Sequence, residues 1–96
     1  MIQYTRNDIK VLINIMDKED SKKGKSKAKA TSIIEICNKI GLSYSSVRKS
    51  LNKFLKDNLV EYGIADGRTK TYHITLKGLE KLSEIRVSIE EEIENE

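Results

Sequence analysis

The sequence is poor in the residues that carry most catalytic and metal chemistry. It has one cysteine, Cys37, and one histidine, His73, in 96 residues. A lone cysteine forms no internal disulfide, and Cys37 lies on an apolar helix face, where a core role is expected. His73 falls in a predicted strand with no acidic or thiol partner nearby in sequence, so a sheet-face role is expected rather than ligation or base catalysis. There is no paired-carboxylate site, no Cys/His cluster, no Gly-rich phosphate loop and no nucleophile–base pair, which argues against an enzyme and against a metal or other cofactor. No apolar run approaches the ~18 residues of a membrane helix, and the start MIQYTRND is too polar for a signal peptide. A cytoplasmic chain with no membrane partner is expected. Aromatic residues make up 5% of the chain, and Tyr4, Tyr44, Tyr62 and Tyr72 are too spread out to form a cage.

Charge, by contrast, is abundant and unevenly placed. The net charge is only +3. Residues 18–30 nevertheless carry six lysines against Glu19 and Asp20, and 43–70 carry six cations against Asp57, Glu61 and Asp66. From Thr75 onward three cations face seven glutamates. A basic front and an acidic tail suit a polyanionic partner held by the front. The length allows one domain over 1–96, with one modest core.

The helical segments announce themselves by caps and periodicity. Thr5 to Asp17 is a predicted helix, capped by Thr5, with Ile9, Leu12, Ile13 and Met16 at helical spacing and Val11 and Ile15 widening the buried face. Residues 18–30 have no periodicity and are expected as a flexible basic loop able to touch phosphates, with Lys29 to Thr31 able to pair as a short strand. Ser32 and Glu35 form a capping box for a second helix, whose stripe is Ile33, Ile36, Cys37 and Ile40. Gly41 ends it in a left-handed cap, and Ser43 opens a third helix with Val47, Leu51, Phe54 and Leu55 inward. A helix, a short turn containing glycine and a second helix make a helix-turn-helix. Asn58 fits a left-handed terminator, and Leu59 to Ile64 and Thr69 to Ile74 read as strands around an Asp-Gly turn. Thr75 caps a long final helix whose Ile85, Ile89 and Ile93 run beyond what a small domain can cover, so they are expected to meet a second copy.

The outward face of the third helix indicates its purpose. Ser45, Lys49, Asn52 and Lys56 point away from the Val47/Leu51 stripe, with Arg48 and Lys53 on its shoulders. These groups bond phosphates and base edges, and a helix fits the major groove. Arg68 at the hairpin tip can enter a narrow minor groove. The candidate duplex-DNA-binding residues are Ser43, Tyr44, Ser45, Ser46, Arg48, Lys49, Asn52, Lys53, Arg68 and Lys70.

The order of elements, with SVRKSLNKFLKDNLVE at 46–61, DGR at 66–68 and ITLKGLEKL at 74–82, resembles the winged helix-turn-helix proteins, most nearly the MarR and PadR groups, over about Thr31 to Leu82. The resemblance implies an α+β, mainly α fold: a three-helix core, a short antiparallel sheet with a wing, and a long C-terminal dimerisation helix over 75–96. It also implies that Ser45, Ser46, Arg48, Lys49 and Asn52 face the major groove while Arg68 enters the minor groove. Asn58 stands where the MarR pattern has glycine. The extra terminal helices that build the MarR ligand pocket have no counterpart, so no small-molecule effector is expected. The function implied is a dimeric, sequence-specific transcription regulator. A plasmid partition or transfer-origin binder is the alternative, and a protein-docking winged helix the reading from another class.

Overall fold

In a computed structural model the chain is described over residues 4–17, 20–65 and 67–94, with side chains through Arg86. Helix α1 spans Arg6–Ile13, strand β1 Thr31–Ser32, helix α2 Ile33–Ile40 and helix α3 Tyr44–Lys56. Strands β2, Val60–Tyr62, and β3, Thr71–Ile74, precede helix α4, Leu76–Glu94. The strands form an antiparallel sheet in the order β1-β3-β2, so β3 is central.

Local signals set the helix ends. Thr5 and Asp8 close a reciprocal capping box on α1, with Asp8 N to Thr5 Oγ1 at 3.1 Å and Thr5 N to Asp8 Oδ2 at 2.9 Å. Ser32 and Glu35 do the same for α2, which stops at Gly41 with φ 70°. Asn58, at φ 62°, lets Leu59 N reach back to Phe54 O at 2.9 Å and so turns the chain from α3 into the wing. Thr75 Oγ1 accepts from Gly78 N at 3.0 Å and donates to Asn58 O at 2.7 Å, which seats α4 against the end of α3.

Helix α1 is shorter than its apolar pattern implies, ending at Ile13 rather than Asp17. The side-chain amide of Asn14 donates to Lys10 O at 2.7 Å, and Lys39 Nζ lies 3.3 and 3.4 Å from the carbonyls of Asn14 and Met16. These bonds satisfy groups that a longer helix would have paired internally. The buried stripe holds the expected Val11, Leu12 and Ile15, but it begins at Asp8, and Ile13 is 44% exposed. A carboxylate heads the stripe, where apolar periodicity gives no sign of it.

The core joins Val11, Leu12 and Ile15 to Ile33 and Ile36 of α2, to Val47, Leu51 and Phe54 of α3, and to Leu59, Val60, Tyr72 and Ile74 of the wing. Cys37 is half-buried and packs against it. Tyr4 contacts Phe54 edge-on at 5.4 Å and donates a hydrogen bond to Asp57. Burial first, then Asp57, pushes its hydroxyl pKa up. Tyr4 is therefore engaged within the chain.

Segment 20–30, expected as a flexible loop, makes specific bonds. Buried Gly24, at φ 79°, lies so close to Ile15 that a Cβ there would be 2.0 Å from the Ile15 carbonyl oxygen. Its own carbonyl accepts from Ile74 N at 2.6 Å, its amide donates to Lys29 O, and Lys27 O accepts from Ile64 N at 2.9 Å. Thr71 and His73 alternate with core-facing Tyr72 and Ile74 along β3, yet all four are buried. Both strands of the wing are shorter than expected, and the Ile64 amide leaves the hairpin for this segment.

Candidate nucleic-acid interface

Helix α3 presents its two faces as the sequence leads one to expect, with one addition. Val47, Leu51 and Phe54 are buried, and so is Ser50. Ser50 Oγ donates to Asp8 Oδ1 at 2.6 Å, and Lys53 Nζ lies 2.7 Å from Asp8 Oδ2. Burial works to raise the Asp8 carboxyl, but the bonds from Lys53, Ser50 and the Thr5 amide outweigh it and hold its pKa at about 2. Lys53, expected on the outward face, thus has its ammonium committed to α1.

Of the remaining outward residues, Arg48 and Asn52 gather with the wing. Tyr44, Arg48 and Asn52 of α3 line one side of a cleft of about 460 Å³, and Tyr62, Arg68, Thr69, Lys70 and Tyr72 line the other. Ile33 and Ile34 of α2 contribute apolar surface to it. Ser45, Ser46 and Lys49 lie outside this cleft, in a shallower depression that Tyr44, Arg48 and Asn52 share. Across 44–56 the helix carries no carboxylate.

At the start of α3 the hydroxyls have divided tasks. Ser43 Oγ caps the helix, accepting from Ser46 N at 3.2 Å and donating to Ser46 Oγ at 2.9 Å. It is a cap first, and it also lies 3.3 Å from Ser45 Oγ, which leaves the unpaired amides of the first turn to face an anion. On the wing, Lys70 Nζ stands 5.5 Å from the Tyr62 ring centroid, and the Tyr62 and Tyr72 rings are 5.3 Å apart. Burial, then Tyr62 and Tyr44, push the Tyr72 hydroxyl pKa up, with Arg48 opposing them. Tyr72 therefore remains a neutral donor at physiological pH.

Sequence reasoning passed over Tyr62 and Tyr72 as part of the site. The expected turn over 65–68 would pair Tyr62 with Thr71, whereas the observed pairs Val60↔Ile74 and Tyr62↔Tyr72 are centred on Gly67. The same register puts His73 opposite Glu61, with Nε2 3.5 Å from its carboxylate. The acidic neighbour missing along the chain is supplied across the ladder. Asp66, at the turn, lies outside the described residues. Among the described residues there is no cluster that could hold a metal ion and no helix long and apolar enough to cross a membrane.

A three-helix core, a helix-turn-helix, a sheet extended into a wing and a cationic cleft between the two define a winged helix-turn-helix protein. No family model matches the sequence. It is 35% identical over 80 residues to the DNA-binding protein TubR of Clostridium botulinum C phage, covering 83% of this chain and 94% of that one. The chain belongs to the TubR family of DNA-binding proteins. The solution structure of the DNA-binding TubR fragment from Clostridium botulinum matches with a TM-score of 0.67 at 33% identity, over 88% of this chain and 99% of that chain. The fold reaches further: the zinc-responsive MarR family member ZitR of Lactococcus lactis matches with a TM-score of 0.67 at 18% identity, over 98% of this chain and 59% of ZitR. At that identity the likeness is one of fold alone.

Proposed function

We propose that this protein is a sequence-specific binder of duplex DNA that acts as a dimeric regulator, with α3 in the major groove and the wing against the minor groove. One observation carries the reading: a helix face free of carboxylates turns Tyr44, Arg48 and Asn52 toward Arg68 and Lys70 of the wing across one cleft, with Ser45 and Lys49 in the depression beside it. Arg and Lys supply phosphate contacts and Asn a bidentate partner for adenine. The likeness to TubR supports the same partner.

A second reading keeps the DNA and changes its purpose, to partition or transfer of a mobile replicon. It is favoured by the phage origin of the TubR relative. Selecting bound fragments from the source genome with purified protein tests both. Fragments mapping to promoters support a transcription regulator, and clustered repeats on a plasmid or phage support the second reading. Recovery of no preferred fragment contradicts both.

Dimerisation through α4 completes the proposal. Leu79 and Leu82 pack on the core, but the helix continues to Glu94, about 18 Å beyond Leu82 at 1.5 Å per residue. Ile85 is half-buried, while the side chains of Ile89 and Ile93 lie outside the described residues. A chain cut after Ser83 is expected to sediment as a monomer while the full chain sediments as a dimer. Equal association of the two would place the interface elsewhere.

A further inference from the structure

Segment 20–30 crosses the outer side of the wing as a strap. Its attachments come from separate parts of the chain: Gly24 O to Ile74 N, Lys27 O to Ile64 N, and Lys23 Nζ to Ala30 O and to the Glu35 carboxylate, both at 3.1 Å. Gly63 shows how closely the strap lies on the hairpin. A Cβ there would stand 2.2 Å from Ala30 Cβ, 2.7 Å from Thr71 Oγ1 and 2.9 Å from Lys27 O. Only glycine leaves room for that crossing.

The lysines of the strap divide into two kinds. Lys23 pins the strap to α2. Lys22, Lys25, Lys27 and Lys29 are exposed, and among the described residues none of these side chains has a carboxylate partner; Lys22 stands ahead of Gly24, and the other three follow it. Backbone bonds hold these three positions beside the hairpin that carries Arg68 and Lys70.

We propose that the strap is a fixed second phosphate-binding surface of the wing, on which Lys25, Lys27 and Lys29 engage the sugar–phosphate backbone flanking the stretch that α3 reads. This rests on the duplex-DNA reading above and adds a partner surface to it. A polyanion is the occupant that the charge selects: the three lysines are adjacent, uncompensated and continuous with a cationic wing. A tethered but unpinned arm would wander over many phosphates and protect none in particular. A strap fastened at Ile64 and Ile74 protects the same few flanking phosphates in every complex.

The test uses the full chain, a preferred duplex, and the same duplex shortened on the wing side. In the DNA-free protein the Ile64 and Ile74 amides should exchange slowly with solvent. The exposed triple change Lys25→Gln/Lys27→Gln/Lys29→Gln should flatten the slope of log affinity against log salt by about 2–3, at ~0.9 per phosphate contact. It should also lose hydroxyl-radical protection only at the flank. Shortening the duplex should weaken the wild type and leave the triple variant unchanged. Ile64→Pro removes the amide that holds Lys27 O while keeping every lysine, and Ile64 is 65% exposed, so little packing is lost. That variant should lose the discrete flank protection too. An unchanged salt slope in the triple variant overturns the proposal, as does full flank protection in Ile64→Pro or fast exchange at Ile64. If the wild type binds no duplex in a salt-dependent way, the underlying DNA reading fails first, and the two failures are thereby told apart.

Discussion

Asp8→Ala is expected to lower the unfolding free energy by about 2–4 kcal/mol, a large share of what a domain of this size has. The carboxylate is 4% exposed and serves three partners at once: the Thr5 amide, the Ser50 hydroxyl and the Lys53 ammonium. Its removal breaks the Thr5 amide's half of the capping box, while Thr5 Oγ1 still caps the helix, at a cost of about 1 kcal/mol, and strands a buried hydroxyl at about 1–3 kcal/mol. Lys53 is half exposed and can return to water, which keeps the total below that of a fully buried pair. The pH dependence has a definite sign. The folded-state pKa, about 2, lies below the ordinary 3.8, so the native state binds this proton less readily than the unfolded chain. The resulting stability, about 2 kcal/mol, is complete above the ordinary carboxylate range and disappears as pH falls through about 2. Urea denaturation from pH 7 to 2 should show this loss in the wild type and a shallower one in Asp8→Asn. Equal slopes in the two would remove Asp8 from the account.

Changes on the DNA face should be large in binding and small in stability. Arg48 stands where α3 and the wing converge, so Arg48→Ala is expected to weaken duplex binding at least tenfold at fixed salt, about 1.4 kcal/mol or more. Lys49→Ala and Asn52→Ala should relax base preference at defined positions, by about 1–3 kcal/mol of discrimination each. Arg68→Ala should weaken binding and chiefly lose an A·T preference at the flanks, because a minor groove is read by its width. Binding-site selection on the four variants separates these roles. If the helix variants keep the wild-type preference while Arg68→Ala loses it, the wing is the reader. All four positions are exposed, so thermal unfolding should shift little.

What the sequence discloses about this protein is set by the range of the interaction. The caps at Ser32, Ser43 and Thr75, the left-handed stops at Gly41 and Asn58 and the inward row of α3 are contacts among residues a turn or less apart. A side chain that must meet an amide three residues away leaves its signature in the spacing. The bonds missed are those between distant segments. Asp8 reaches Ser50 and Lys53 across 42 and 45 residues, and nothing in its neighbourhood marks it as a core residue. That one contact brings a carboxylate into the buried face of α1 and commits the Lys53 ammonium to it. The strap is hidden for a related reason. Its attachments are backbone amides and carbonyls, which any sequence possesses, and the glycines at 24 and 63 that permit them resemble ordinary loop residues. The cationic face of α3 could be read because one helix carries it; the tyrosines of the cleft needed the hairpin register as well.

The central claim is that α3 and the wing together hold the phosphates and bases of duplex DNA. Its most direct test is the affinity of the full chain for a selected duplex at several salt concentrations, beside Arg48→Ala/Lys49→Ala/Arg68→Ala. Log affinity of the wild type is expected to fall steeply with log salt, with a slope of about −4 or steeper, and that of the variant with a slope shallower by about 2–3. A wild-type slope near zero, or one that the triple change leaves untouched, would contradict that claim.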